Sequence, residues 1–326
     1  MKIAVTVPAR IHLTLVELGL HGYRRNGGIG FALNAPSRHL EFAPAPEFDL
    51  DLLGNLGFAT HEVDDIRSLL SRTRLNKGFR DSFRLLSARG SGRHVGTGSG
   101  TSVTLACLEA LFKVNDAQID EKELIQLSGR GGTSGVGIRT YFTGGFVLDV
   151  GRQYDDEPIV SSDDVVTPAS IPNVLSQMSM PHWPIGILIP DCEPLTIERE
   201  RAVFESLKTE PLQSSAVHEA AYHSVFGVAA AVLSADYDAF CQAVNAIQKT
   251  AWKQREIRAY GTTISDAIGR MLALGCDCVG LSSMGPALFF LSRELEHVLP
   301  VLRSEFAGAL VELTSANNVG REIRRA

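Results

Sequence analysis

The stretch 93–104, RHVGTGSGTSVT, runs straight into the apolar LACLEALF of residues 105–112. Glycines at 96, 98 and 100 permit a tight backbone path. Ser99, Thr101 and Ser102 add hydroxyls at what should be a helix N-terminus. Such a turn aims several backbone N–H groups at one spot, and the helix dipole favours an anion there. A phosphate or pyrophosphate is the natural occupant. Taken alone, the loop also fits a plain tight turn before a buried helix. It lacks the lysine of a Walker A loop, and no GxGxxG follows a first strand, which argues against a dinucleotide fold.

Two similar Gly/Ser segments follow, at 129–137 and 280–285. In the first, Arg130 introduces Gly131-Gly132-Thr133-Ser134-Gly135, Arg139 comes soon after, and Asp149 closes the strand-like GGFVLD. In the second, Ser282 and Ser283 stand between apolar runs. Three such segments with arginines nearby predict one polyphosphate site better than three unrelated turns. Arg93 and His94 precede the first loop and can add positive charge or donors to the same cavity. Arg10 and His12 alternate with Ile11 and Leu13, so both point to one side of an extended segment. Glu17 is close enough in sequence to join them and bind magnesium. Arg24, Arg25 and Asn26 stand before Gly27-Gly28-Ile29-Gly30, where two arginines can grip a carboxylate or phosphate. Lys249, Lys253, Arg255 and Arg258 read most simply as a solvated face. No GxSxG elbow occurs, and His182, His218 and His223 lie in unrelated contexts.

Composition is that of an ordinary globular enzyme. The 326 residues are 44% hydrophobic and 21% charged, with net charge −6 and pI near 5.9. No basic block offsets that balance, which excludes a nucleic-acid binder. The length predicts one large or two moderate domains, with a break near WPIGILIPD. The opening MKIAVTVPARIHL is too short and polar for a signal peptide, and no apolar run approaches ~18 residues, so cytoplasm is the expected location. The cysteines, Cys107, Cys192, Cys241, Cys276 and Cys278, hold no CxxC pair and read as reduced and structural.

Periodicity predicts strands at 2–8, 28–34 and 38–43, the last two separated by a turn at Pro36. Helices are predicted at 62–76, after the glycine loop, and at 120–128 with Asp120 as N-cap and Gly129 as terminator. FRLLSA at 83–88 is a strand by its length, and residues 152–184 carry no strong period. Further helices are predicted at 214–233, 237–255, 261–274 and 293–306, interleaved with strands WPIGILIPD, CVGLSS, ALFFLS and LVELTS.

ARIHL, GTGSGTS and GLSSMGP resemble the three motifs of the GHMP kinase superfamily. That resemblance implies an α+β fold of two domains: an N-terminal ribosomal-protein-S5-like domain, 1–184, and a C-terminal ferredoxin-like domain, 185–326. Kinases of the superfamily carry SGxD, whereas here Ser134-Gly135-Val136-Gly137 puts glycine at the acidic position. PARIHLTLVEL, NGGIGFAL, RHVGTGSGTSVTLA, SGRGGTSGVGIRTYFTGGFVLDVG and SSMGP resemble, in order and over most of the chain, a non-kinase branch: the β-ribofuranosylaminobenzene 5'-phosphate synthase family. The resemblance implies transfer of the ribosyl 5-phosphate of phosphoribosyl pyrophosphate to 4-hydroxybenzoate or a close relative such as 4-aminobenzoate, with loss of pyrophosphate and carbon dioxide. It also implies magnesium, a place in methanopterin-type biosynthesis, and a homodimer.

Family members carry an acidic residue near Asn26, a glutamine near Leu281, a tryptophan near Met284 and a threonine near Ala287. The glutamine- and glycine-rich segment after Gln248 is replaced by KTAWKQREIRAYG. These departures fall on the substrate side, which keeps an azole carboxylate, as used by C-nucleoside synthases, as a rival acceptor. An ATP-dependent small-molecule kinase is the third reading. On this basis Arg130, His12 and Arg25 are the candidate catalytic residues. Arg10, Arg93, His94, Gly96, Gly98, Ser99, Gly100, Thr101, Ser102, Thr133, Ser134, Arg139, Ser282 and Ser283 are the candidate substrate-binding set, with Glu17 as metal ligand.

Overall fold

The computed structural model describes residues 2–18, 23–154, 159–160 and 171–325. The chain opens with a long antiparallel pair, β1 (Ile3–Glu17) and β2 (Arg24–Ala45). There follow α1 (Thr60–Lys77), β3 (Ser82–Gly90), α2 (Ser99–Val114), α3 (Glu121–Ser128), α4 (Val136–Thr143), β4 (Phe146–Asp149), β5 (Arg152–Gln153) and β6 (Val174–Met178). The second half contains β7 (Ile185–Ile189), α5 (Ile197–Thr209), α6 (Ser214–Tyr222), α7 (Ala230–Ser234), α8 (Tyr237–Ile247), α9 (Ala251–Arg258) and α10 (Thr263–Ala273). It ends with β8 (Cys278–Leu281), β9 (Leu288–Leu291), α11 (Leu295–Glu305), β10 (Leu310–Thr314) and β11 (Glu322–Arg325).

The first sheet has the order β11-β1-β2-β4-β6, with β3 and β5 also paired to β2. The second has the order β10-β7-β9-β8, and its β7, helices, β8-β9, α11, β10 path is that of a ferredoxin-like unit. β1 serves both halves because of its period. Ile3, Val5 and Val7 enter a core with α1, α2 and α3, while the alternate positions further along, Ala9, Ile11 and Leu13, enter a second core facing β7, β9 and α8. In that second core Phe31 meets Phe289 edge to face at 5.5 Å. Helix α2 is buried on nearly all sides: its run from Val103 to Phe112 is mostly apolar, and its one carboxylate, Glu109, is paired with Arg321 at 2.7 Å. Asp120 caps α3 by accepting from the Glu123 N–H, and left-handed Gly129 ends it.

Several expectations are corrected. Pro36 does not separate two strands: β2 runs through it, because residues 34–37 form a bulge between the Leu33–Ala9 and Arg38–Val7 pairs, where a missing N–H costs no ladder bond. The helix expected over 237–255 breaks after Ile247, where the Gln248 side chain accepts from the Leu281 N–H and the chain restarts at Ala251. Lys253 is not solvated; it is fully buried against Glu256. Helices α4 and α5 and strands β5, β6 and β11 have no counterpart among the predicted elements. Ser214–Ser234 forms a continuous helical stretch long and apolar enough to cross a membrane by length and composition, although Val228, Ala231 and Val232 pack into the second core.

Candidate active site

The three glycine-hydroxyl segments meet beside β1. Gly96 lies so close to the late loop that a Cβ there would stand 2.5 Å from the Ser282 carbonyl oxygen, at a φ of +87° that itself favours glycine. The Ser282 hydroxyl donates to the Gly96 carbonyl at 2.7 Å and accepts the His12 N–H at 3.1 Å. The Ser283 N–H reaches the His12 carbonyl at 2.8 Å, and the Arg10 N–H reaches the Thr97 carbonyl at 3.2 Å. The stem of the first loop is held from behind by fully buried Arg38, which donates to Thr97 Oγ1 at 2.6 Å and to the Ser91 carbonyl at 3.0 Å. No side chain caps α2 at Gly98, so its first N–H groups are turned toward the cavity without a side-chain acceptor.

The middle loop is organised by Asp149. Its Oδ2 accepts the Gly135 N–H at 2.5 Å and the Ser134 hydroxyl at 3.2 Å, and its Oδ1 accepts the Gly151 N–H at 2.6 Å. Burial pushes this carboxyl up to about 6 against these hydrogen bonds. Asn26 braces the same loop by donating to the Gly132 carbonyl at 3.1 Å.

The cavity between the loops has two connected lobes. Arg93, His94, Gly96, Gly98, Ser99 and Gly100 line the first; His12, Thr133, Ser134 and Gly137 line the second; Arg10, Thr101, Arg130 and Ser283 line both. Arg10 dominates the electrostatics. Its Nε and Nη1 are buried and make no hydrogen bond, and burial lowers its pKa to about 10 in spite of Glu200 and Glu256. A desolvated guanidinium of this kind is built to receive an anion. His12, on the same face of β1, is pushed well below the usual imidazole range by burial and then by Arg10 and Lys253, so it stands neutral. Arg93 donates to Glu62 at 2.7 Å and His94 lies 3.3 Å from the same carboxylate. Although burial opposes it, those two partners hold Glu62 down to about 2.

Other sequence candidates fall outside the cavity. Arg25 is buried beside the Tyr154 ring, next to the β2–β5 pairing, and Arg139 reaches Glu121 at 3.6 Å on the far side of α4. Ser102 turns its hydroxyl back to the Ser99 carbonyl, as helical serines do, and Ser282 spends its hydroxyl on the loop-to-loop bonds. Glu17 lies opposite Asn26 at the end of the β1–β2 pair, about 7 Å beyond Leu15 at strand rise, and lines neither lobe. Conversely, Glu200 and Phe204 of α5, Glu256 of α9 and Leu15 line the cavity although the sequence analysis does not single them out, whereas Met284, one of the substrate-side departures, lines both lobes. The one signal was the four-residue spacing of Glu200 and Phe204, which carries weight only once α5 is known to be a helix.

Among the described residues no group of three His, Cys, Asp or Glu side chains is gathered to cage a metal. Glu200, a carboxylate on both lobes, fits the other common arrangement, in which magnesium takes one protein carboxylate and substrate phosphates.

The fold has clear relatives of known structure. A homoserine kinase from Cytophaga hutchinsonii matches with a TM-score of 0.68 at 16% identity, covering 99% of this chain and 97% of its own. A putative sugar kinase from Campylobacter jejuni matches at 0.70 and 12%, covering 100% and 98%. Mevalonate diphosphate decarboxylase from Staphylococcus aureus matches at 0.61 and 13%, covering 99% and 98%. The fold is the GHMP-kinase-like α+β fold of two domains. No family model matches the chain. Over nearly its full length it is similar in sequence to three β-ribofuranosylphenol 5'-phosphate synthases. Identity is 27% over 323 residues to the synthase of Methanothermobacter thermautotrophicus, covering 98% of this chain and 95% of that one. It is 28% over 327 residues to that of Archaeoglobus fulgidus, covering 97% of each.

Proposed function

We propose that this chain catalyses decarboxylative C-ribosyl transfer from phosphoribosyl pyrophosphate to a carboxylated aromatic acid, releasing pyrophosphate and carbon dioxide. The observation that carries the reading is the buried guanidinium of Arg10, with two nitrogens lacking a hydrogen bond, beside the open N-terminus of α2. Gly137 supports it as well: it lines the second lobe where kinases of the superfamily place an aspartate. The full-length relatives named for a ribofuranosylphenol phosphate supply the reaction class.

The chemistry asks little of the protein beyond charge placement. As the bond from C1 to the diphosphate lengthens, negative charge grows on the leaving group and positive charge on the ribose. The N–H groups of residues 99–101, with Arg10 and Arg130, are preorganised to meet the diphosphate charge. The ring carbon bearing the carboxylate attacks C1, and the carbon–carboxyl bond then breaks, returning its electron pair to the ring as carbon dioxide departs. With glycine at 137, no carboxylate stands at that position of the second lobe, and neutral His12 adds no charge beside Arg10. Magnesium, held by Glu200 and the substrate phosphates, would supply further neutralisation of the diphosphate.

Incubation with phosphoribosyl pyrophosphate and a panel of hydroxybenzoates, aminobenzoates and azole carboxylates tests the reading. Pyrophosphate and carbon dioxide should appear in equal amounts, with a C-ribosyl product by mass spectrometry. Phosphorylated product from ATP, or no pyrophosphate release with any acid, would overturn it.

A further inference from the structure

The two lobes differ in a way that orients the acceptor. Gly96, Gly98, Ser99, Gly100 and Arg93 line only the first lobe, Leu15, Phe204 and Glu256 line only the second, and Arg10 and Arg130 stand at the junction. In decarboxylative transfer the attacking ring carbon is the one bearing the carboxylate. That end of the acceptor therefore lies at the junction, beside the arginines, and the opposite ring edge points into the second lobe. Leu15 and Phe204 give that lobe apolar walls for a ring. Glu256 gives it a carboxyl group that is 3% exposed.

Glu256 is fixed from behind. Its Oε1 accepts the Trp252 indole N–H at 3.0 Å, and its Oε2 pairs with the fully buried Lys253 ammonium. Lys253 in turn donates to the Leu281 carbonyl at 3.2 Å, so the pair is anchored to the strand leading into the late loop. Oε2 makes no hydrogen bond beyond that ion pair, and a carboxylate oxygen has room for a second donor. Building a buried ion pair is costly and gains little stability over an apolar pair. A wall of the acceptor lobe is where that cost has a use.

Resting on the reading above, we propose that Glu256 is the specificity-determining group of the acceptor lobe. It accepts a hydrogen bond from an O–H or N–H on the ring edge opposite the reacting carbon. The acceptor is then a hydroxy- or amino-aromatic acid, or an azole acid with a suitably placed ring N–H, and not an unsubstituted or alkylated benzoate. The same bond helps the reaction, because a substituent whose proton is held by a carboxylate pushes electron density toward the attacking carbon. Burial raises the Glu256 pKa and lowers that of Lys253, while their mutual attraction opposes both shifts.

The test compares 4-hydroxybenzoate with 4-fluorobenzoate, which has similar size and no proton to donate. Dissociation constants are read from quenching of Trp252 fluorescence in the wild type, in E256Q and in the K253M/E256M double variant, which leaves no unpaired buried charge. The wild type should prefer 4-hydroxybenzoate by about tenfold, the range of a hydrogen bond to a charged group. Both variants should lower that ratio below about threefold while inorganic pyrophosphate binds unchanged. A ratio that survives in the variants overturns the role of Glu256. If neither variant folds, the wild type decides, since equal affinity for the two acids overturns the proposal. Pyrophosphate release from phosphoribosyl pyrophosphate by the wild type is measured alongside: its absence sinks the reaction, whereas release with an unchanged ratio sinks Glu256 alone.

Discussion

Replacing Gly96 by alanine should damage the site far more than the fold. The added Cβ would lie 2.5 Å from the Ser282 carbonyl oxygen and 3.2 Å from Gly285, and the residue sits at φ +87°. Holding alanine in that region costs about 1–2 kcal/mol. Parting the loops to relieve the clash breaks the 2.7 Å bond from Ser282 to the Gly96 carbonyl, worth about 1 kcal/mol. The sum of about 2–3 kcal/mol corresponds to a loss of roughly 30- to 150-fold in kcat/KM if the parted loops no longer meet the diphosphate. Gly137→Ala is the control, because a Cβ there meets only ordinary contacts at 3.8 Å with Arg10 and Thr101. The assay is pyrophosphate release at subsaturating phosphoribosyl pyrophosphate, with thermal denaturation in parallel. If Gly96→Ala retains activity within threefold of wild type, or if Gly137→Ala is hurt equally, the close approach of the two loops is not what positions the leaving group.

Arg10→Met removes a buried cation whose Nε and Nη1 have no hydrogen bond; pyrophosphate affinity by calorimetry should fall at least about tenfold with no loss of thermal stability. A stability loss instead would mean that Arg10 is structural. Asp149, raised to about 6 from the ordinary 3.8, holds its proton more tightly when folded than when unfolded. Its ionisation therefore costs stability as pH rises from about 4 through about 6, by on the order of 3 kcal/mol, and Asp149→Asn should abolish that slope in denaturant melts. Parallel slopes in the two proteins would refute it. Glu200→Gln should raise the magnesium concentration needed for half-maximal turnover by several-fold; an unchanged requirement would place the ion elsewhere.

The strongly periodic and strongly punctuated parts of the chain were legible in advance. Asp120 and Gly129 bound α3 where local capping chemistry puts them, and the alternation in β1 sends Arg10 and His12 into the second lobe together. Local rules failed where distant partners decide. Pro36 is a bulge and not a turn because β1 and the residues around Thr314 hold both sides of it, the Ala35 N–H donating to Thr314 Oγ1 at 2.9 Å. Helix α5 has a charged sequence and a thin apolar face, so the four-residue spacing of Glu200 and Phe204 does not stand out until the helix is known. Lys253 looked solvated because three other cations accompany it, and only the tertiary structure buries it against Glu256 and the Leu281 carbonyl. Arg25 and Arg139 were attractive by proximity to glycines, yet glycine density marks close backbone approach in general and does not say which side chains face the gap.

The double use of β1 constrains how such a protein can diverge. Its odd-numbered residues build two cores while Arg10 and His12 on the reverse face line the cavity, so a one-position slip would disturb packing and site in one event. Change is accommodated more easily in α5 and α9, whose Phe204 and Glu256 line the second lobe from outside that strand. Substitutions on those two helices can therefore reshape one lobe while the strand and its buried guanidinium stay in place.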